Sequence, residues 1–176
     1  MLKNLEEKFR VYCNSKNLEV NQNQLNVIKK LQDYNQKNFK SFYYNFFFKE
    51  SFKKSFYLYG DVGVGKTMIL DFFYNFINVK KKRLHFNEFM LNFHDFVNSR
   101  KEKKEQNIIN LFVKNLKSKA ALIYFDEFQV TNIVDAMILG KLFEEIFKEN
   151  IKIILTSNTK ISELYKDGLQ RDQFKP

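Results

Sequence analysis

One eight-residue segment constrains the fold more than any other feature of the chain. Residues 60–67 read GDVGVGKT and match the pattern G-x-x-x-x-G-K-[ST]. Glycines permit backbone angles and close approaches that side chains forbid, so successive N–H groups can point into one concavity and bind phosphate oxygens. The preceding SFYLYG reads as a strand and the following KTMILDFFYNFIN as a helix. The pattern in this context predicts a phosphate-binding loop at a helix N-terminus.

The residue types in the loop predict a division of labour. Lys66 is expected to reach the β- and γ-phosphates of a nucleotide, and Thr67 to offer its hydroxyl to Mg²⁺. The predicted nucleotide-binding residues are the whole loop and the residue after it, namely Gly60, Asp61, Val62, Gly63, Val64, Gly65, Lys66, Thr67 and Met68.

A second segment, ALIYFDEF, ends an apolar run with two adjacent acids. Burying charge is costly unless the charge is paired or bound to a metal. A nucleotide bound with Mg²⁺ needs a carboxylate at the carboxyl end of a nearby parallel strand, and Asp126 fits that role. Glu127 is then placed to polarise an attacking water as general base. The alternative is that the two acids cap a strand at the protein surface. The presence of the phosphate loop makes this interpretation less favourable.

Strand-like and helix-like segments alternate along most of the chain. After the loop come RLHF, ALIYF and IKIILTSN as strands, and EFMLNFHDFVN, NIINLFVKNL and NIVDAMILGKLFEEIFKEN as helices, with a short helix possible at ISELYKD. Alternation of this kind predicts right-handed crossovers and a parallel sheet covered on both faces. The expected fold class is therefore α/β, with a three-layer α/β/α core.

The first 50 residues show helical periodicity instead. NQLNVIKKL has apolar residues at helical spacing, and so does the stretch from Phe39 to Phe47, whose aromatic face is expected to pack on the core. A partner-binding or membrane-surface helix is the alternative for the Phe-rich stretch. We expect an N-terminal helical segment at residues 1–50 packed on a core at residues 51–176.

A third apolar strand ends in polar residues and adds one more site position. Asn158 could orient the lytic water and sense the γ-phosphate, although a strand-end turn also explains it. Farther on, Arg171 could be supplied to the nucleotide of a neighbouring subunit, which would require a ring. The guanine-recognition pattern N-K-x-D does not occur, and SNTKI does not match it. ATP hydrolysis that drives movement is the best fit.

Composition limits the remaining classes of function. The chain has 176 residues, a formal net charge of +10 and one cysteine, Cys13, so no intrachain disulfide can form. A positive charge can favour nucleic acid or anionic membranes, but a solvated lysine-rich surface is the favoured interpretation. No segment approaches the roughly 20 apolar residues of a membrane span. A reducing compartment fits these features.

The order of motifs resembles AAA+ ATPases, and in particular the ZapE family of bacterial cell-division ATPases and their mitochondrial relatives. The resemblance rests on YLYGDVGVGKTMILDFFY, RLHFNEFMLNFHDF, IYFDEFQVTNIVDAMILGKLFEEIF and ILTSNTKISELYKDGLQRDQFKP. It implies an AAA+ P-loop ATPase that binds ATP and Mg²⁺, forms homo-oligomeric rings and acts on the tubulin-like division protein FtsZ. It also implies a location in the bacterial cytoplasm, or alternatively in the mitochondrial matrix.

The resemblance assigns the family's functional positions to residues of this chain. They are Lys66 and Thr67 for phosphate and Mg²⁺, Asp126 and Glu127 for Walker B, Asn158 for sensor 1 and Arg171 for the arginine finger. Gln24 matches a glutamine in the family's N-terminal segment and is expected near the adenine.

The chain also departs from the family pattern. Asn87 stands where family members have a histidine, and a last core strand and a helical lid with a second arginine sensor would follow Pro176. We therefore expect a fragment that lacks the lid, binds nucleotide weakly and has poor ATPase activity. Two other functions remain open: a nucleic-acid-associated ATPase of the helicase-loader type, and a nucleotide-binding module without turnover.

Overall fold

Four parallel strands form the central sheet in the computed structural model, which describes residues 4–40, 54–100 and 107–164. The strands are β1 (Ser55–Tyr59), β2 (Lys81–His85), β3 (Leu122–Asp126) and β4 (Lys152–Ser157). Their order across the sheet is β1-β4-β3-β2. Strand β4 therefore lies between the strand that precedes the phosphate loop and the strand that ends in Asp126. All three strands end at the same edge of the sheet, because they are parallel.

Helices cover both faces of this sheet. In chain order they are α1 (Leu5–Ser15), α2 (Gln22–Asn35), α3 (Lys66–Phe76), α4 (Phe86–Asn98), α5 (Ile108–Lys119) and α6 (Ile133–Lys148). A π-helical turn follows α2 at Gln36–Lys40, and a 3₁₀ turn follows β4 at Ile161–Glu163. Helices α1, α2 and α3 share one hydrophobic cluster with the sheet, and α4, α5 and α6 share the other.

Strand β3 shows why the sheet needs both layers. Every residue of β3 is buried. Ile123 and Phe125 pack into the cluster with α4, α5 and α6, whereas Leu122 and Tyr124 pack into the cluster with α1, α2 and α3. Successive side chains of a strand point to opposite faces, so an apolar run without polar alternation must be covered on both sides. The predicted three-layer α/β/α fold is confirmed.

Helix α1 is the main element that the sequence analysis did not predict. Asn4 caps it by accepting a hydrogen bond from the Glu6 N–H, and Leu5, Phe9 and Cys13 are its buried residues. These residues join the same cluster as α2 and the sheet. The described part of the N-terminal segment thus packs on the core, while the division at residue 50 stays a prediction.

Among the predicted boundaries that differ from the structure, two concern the basic run and the last predicted helix. Strand β2 begins at Lys81 rather than at Arg83, so most of the basic run 80–83 belongs to the sheet. The expected helix at ISELYKD is a 3₁₀ turn as far as Glu163, and its last residues lie outside the described part. Most of the Phe-rich stretch also lies outside the described residues.

None of the described helices is long and apolar enough to cross a membrane.

A buried lysine opens β4. The side chain of Lys152 donates a hydrogen bond to Asn150 Oδ1, and the residue is only 7% exposed. Burial lowers the pKa of Lys152 to about 8, with further contributions from the positive charges of Lys54 and Lys117. The protonated amine is therefore less stable in the folded chain than in the unfolded chain.

This burial predicts a pH-dependent stability. Lys152→Met should raise the free energy of unfolding at pH 7 by about 1–3 kcal/mol, because it removes a buried, poorly paired charge. Between pH 8 and the ordinary lysine value of 10.5 the unfolded chain binds more protons, so the wild type should gain stability and the difference should shrink. Urea unfolding across this interval measures it, with the exposed Lys16→Met as control. A difference that stays constant with pH would contradict the prediction.

Candidate nucleotide-binding site

A cleft of about 530 Å³ lies over the carboxyl ends of β1, β4 and β3. Its walls come from three segments: residues 62, 63 and 65–68 of the phosphate loop and α3, residues 127–129 after β3, and residues 156–159 at the end of β4. These segments are far apart in sequence and meet because β4 lies between β1 and β3. The cleft sits where ligands bind in open parallel sheets.

The phosphate loop has the backbone that its glycines predict. Gly63 and Gly65 have φ angles of 84° and 86°, a left-handed conformation that costs other residues about 1–2 kcal/mol. A Cβ on Gly63 would meet nothing within 4 Å, so this position opens onto free space. The Gly60 N–H donates to the Ser157 carbonyl at 3.3 Å and ties the loop to β4.

Lys66 begins α3 and lies over the loop. The residue is 8% exposed, and its Nζ donates to the carbonyls of Gly60 and Asp61, both at 2.7 Å. An ammonium group has three N–H donors, so these two bonds fix the amine above the loop and leave one donor for a ligand. The role of Lys66 in binding phosphate stays a prediction.

Asp126 is buried, at 5% exposure, and is surrounded by donors. Its Oδ1 accepts from Thr156 Oγ1 at 2.9 Å and lies 3.3 Å from the Tyr124 hydroxyl and 3.4 Å from Thr67 Oγ1. Its Oδ2 accepts from Arg83 Nη2. Burial by itself raises the pKa of Asp126, but the bonds from Arg83 and Thr156 and the charge of Arg83 outweigh it, so the pKa lies below its ordinary value.

Glu127 points the other way. Its backbone is left-handed, with φ of 55°, and its N–H donates to Thr156 Oγ1 at 3.1 Å. Its side chain is 81% exposed in the cleft, and Oε2 lies 4.0 Å from His85 Nδ1. Left-handed conformations of residues other than glycine are uncommon and concentrate at functional sites. The turn after β3 thus separates two adjacent acids, one buried beside Thr67 and one facing the cleft.

The other predicted site residues differ in what the structure shows. Asn158 and Met68 both line the cleft. Gln24, at the start of α2, has its Nε2 3.1 Å from the point that a Cβ on Gly65 would occupy, so α2 lies against the loop. Arg171 lies outside the described residues. The roles assigned to these residues stay predictions.

Sequence reasoning missed three residues that contact Asp126 and a fourth, Asp71, that pairs with one of them, Arg83. They come from different elements and are Asp71, Arg83, Tyr124 and Thr156. The sequence did contain partial signals. Asp71 follows Thr67 by one helical turn, and Arg83 is an arginine inside a strand of a sheet that is expected to be covered on both faces.

The donor set at the edge of β3 fits Mg²⁺. Mg²⁺ is usually bound through one or two protein oxygens together with substrate phosphates and waters. Thr67 Oγ1 and Asp126 Oδ1 supply a hydroxyl and an ionised carboxylate 3.4 Å apart. The described residues contain no cluster of three His, Cys, Asp or Glu side chains, so a metal held by the protein alone has no ligand set there.

The Thr156 hydroxyl contacts both acids, so substitution of Thr156 tests how much these two contacts stabilise the fold. Thr156→Val removes a donor from Asp126 and leaves the Glu127 N–H without its acceptor, so the free energy of unfolding should fall by about 1–3 kcal/mol. Thr156→Ser keeps the hydroxyl, loses one methyl group and should cost about 1 kcal/mol. Urea unfolding of both variants measures the difference. A valine variant as stable as the serine variant would show that the hydroxyl is dispensable.

Comparisons with known proteins extend these observations. "Lactation elevated protein 1 homolog B" of Danio rerio is 44% identical over 133 residues, which cover 70% of this chain and 26% of the relative. "Cell division protein ZapE" of Escherichia coli K12 is 38% identical over 121 residues, which cover 68% of this chain and 32% of the relative. The chain therefore spans about a third or less of the length of these relatives.

Solved structures agree with the fold. DnaI superposes with a TM-score of 0.52 at 18% identity, covering 90% of this chain and 81% of DnaI. AMPPCP-bound DnaA from Aquifex aeolicus superposes with a TM-score of 0.57 at 18% identity, covering 90% of this chain and 45% of DnaA. At such identities the likeness concerns the fold alone.

The family follows from the sequence of the whole chain rather than from the site. The model of the AFG1-like ATPase family matches residues 6–176 and so takes in the phosphate loop, the paired acids and both layers of helices. This chain belongs to the AFG1-like ATPase family.

Proposed function

We propose that this protein binds ATP with Mg²⁺ and hydrolyses it. The observation that carries the proposal is that Lys66, Thr67 and Glu127 line one cleft and that the buried carboxylate of Asp126 lies beside Thr67. Thr67 and Asp126 are 59 residues apart in sequence, yet their side-chain oxygens lie 3.4 Å apart. A glycine turn without this function would not need a buried, ionised carboxylate beside it.

The geometry supports a simple division of roles. The loop N–H groups and Lys66 would hold the phosphates, and Thr67 and Asp126 would hold Mg²⁺, with Asp126 acting through the metal's water shell. Bound Mg²⁺ would offset the negative charge of the phosphates. Glu127, exposed in the cleft, would polarise the attacking water. Asn158 would orient that water.

Glu127→Gln is the variant that tests hydrolysis. The amide keeps the size of the side chain but cannot accept a proton, so turnover should fall by about 10²–10⁴-fold while ATP binding is retained. Lys66→Ala should instead weaken binding, because it removes the charge held above the loop. Phosphate release and titration with a fluorescent ATP analogue measure the two effects. A wild type that binds ATP without any turnover would identify a binding module and contradict the enzymatic part of the proposal.

The partner and the assembly are further parts of the proposal. By its family the protein would use ATP to remodel another protein, and the resemblance to the ZapE family points to FtsZ as that partner. One relative is named as a cell division protein. Arg171 would act on the nucleotide of a neighbouring subunit, which requires a homo-oligomeric ring. The bacterial cytoplasm is the proposed compartment. The mitochondrial matrix is the second candidate, supported by the higher identity of the Danio rerio relative.

A helicase-loader-like ATPase is the second candidate function. It is supported by the net charge of +10. Adding FtsZ should stimulate the ATPase if the first candidate is right, with little dependence on salt. Single-stranded DNA should stimulate it if the second is right, and that stimulation should fall steeply as salt rises. ATPase rates with each addition at several salt concentrations decide between them, and DNA stimulation without any effect of FtsZ would overturn the first.

A further inference from the structure

Arg83 joins two acids that belong to different elements. It lies on β2, opposite Tyr124 of β3, and its guanidinium sits 5.0 Å from the centre of the Tyr124 ring. Its Nη1 lies 2.8 Å from Asp71 Oδ1 on α3, and its Nη2 donates to Asp126 Oδ2 at the end of β3. The planar fork of arginine can hold two carboxylates at once in a fixed geometry, which a lysine cannot do.

One acid of this bridge, Asp71, lies one helical turn from a proposed metal ligand, and the other, Asp126, is itself a proposed metal ligand. Asp71 follows Thr67 on α3 by four residues, one helical turn, so the two side chains lie on the same face of the helix. Asp126 uses Oδ2 for Arg83 and keeps Oδ1 toward Thr67, 3.4 Å away. The bridge therefore connects the helix that carries one metal ligand with the strand that carries the other.

We propose that Arg83 is a positioning residue for the Mg²⁺ site, which acts by holding Asp71 and Asp126 together so that Thr67 Oγ1 and Asp126 Oδ1 stay at a fixed separation. This inference rests on the proposed function. It gives Arg83 and Asp71 a role in metal affinity although neither residue lines the cleft. Outer partners that orient metal ligands typically change metal affinity by about 10–100-fold when they are lost.

Simple charge compensation is the competing explanation. Asp126 is buried and needs a positive neighbour, and Arg83 would supply one whether or not it also contacts Asp71. The two explanations differ at Asp71. Asp71→Ala breaks the link between α3 and Arg83 but leaves Arg83 paired with Asp126, so charge compensation alone predicts only the smaller loss that follows from removing one negative charge near the site.

The experiment measures how much Mg²⁺ strengthens nucleotide binding. A fluorescent ATP analogue is titrated into the chain with Mg²⁺ and again with EDTA, and the ratio of the two Kd values is compared between variants. Asp71→Ala and Arg83→Lys should each lower this ratio by about tenfold or more while the Kd in EDTA stays within about twofold. The double variant should be no worse than either single variant, because both break the same bridge.

Matched substitutions in a remote ion pair control for general effects. Glu6 and Arg10 pair at 2.9 Å on α1, and Glu6→Ala and Arg10→Lys should leave the ratio unchanged. Circular dichroism melting checks that each variant is folded. If Arg83→Lys does not fold, Asp71→Ala carries the test, since it leaves the charge pair of Asp126 intact.

Two results would overturn the inference. One is a ratio that Asp71→Ala leaves unchanged, whatever Arg83→Lys does, and the other is a parallel loss of affinity with Mg²⁺ and with EDTA, which would indicate a structural role only. A wild type that does not bind the analogue, or binds it without gain from Mg²⁺, would overturn the proposed function and this inference with it. If the variants keep the wild-type gain in nucleotide affinity from Mg²⁺, only the inference is overturned.

Discussion

The buried carboxylate of Asp126 sets conditions that much of the structure meets. A charge removed from water must be compensated, and here the compensation comes from side chains on four separate elements. The donors are Thr67 of α3, Arg83 of β2, Tyr124 of β3 and Thr156 of β4. Such convergence is possible only if β4 lies beside β3 and α3 packs over both. Compensation of the buried Asp126 charge therefore depends on the observed strand order.

The same arrangement explains how two neighbouring acids acquire different properties. Asp126 has its pKa lowered by Arg83 and Thr156 in spite of burial, which keeps it ionised beside Thr67. Glu127 leaves the strand in a left-handed turn that Thr156 holds through the Glu127 N–H, and its side chain faces solvent in the cleft. The hydroxyl of Thr156 on β4 thus contacts both acids, because it donates to Asp126 Oδ1 and accepts from the Glu127 N–H. A site built this way depends on β4 as much as on the two motif-bearing strands.

Features that depend on local sequence could be predicted, and features that depend on register could not. The phosphate loop and the apolar run of β3 carry their own signals, because backbone angles and burial on both faces select recognisable residue types. Helix α1 was missed although Leu5, Phe9 and Cys13 have helical spacing, since charged and polar residues separate them. Arg83 was expected in a strand of the sheet, but only the pairing of β2 with β3 places it against Asp126.

The structure engages two residues of the basic run 80–83, and one further lysine, in contacts within the fold, although all three count toward the net charge of +10. Lys81 Nζ donates to the carbonyls of Tyr74 and Ile77 at the end of α3, where helix carbonyls lack partners within the helix. Arg83 is committed to Asp71 and Asp126, and Lys152 is buried. These cations serve the fold and the site, so they cannot contribute fully to a surface that neutralises phosphates of nucleic acid. They account for little of the net charge, however: together with Asp71 and Asp126 they sum to a formal charge of +1, so the charge that could attract a nucleic acid lies on other residues of the chain.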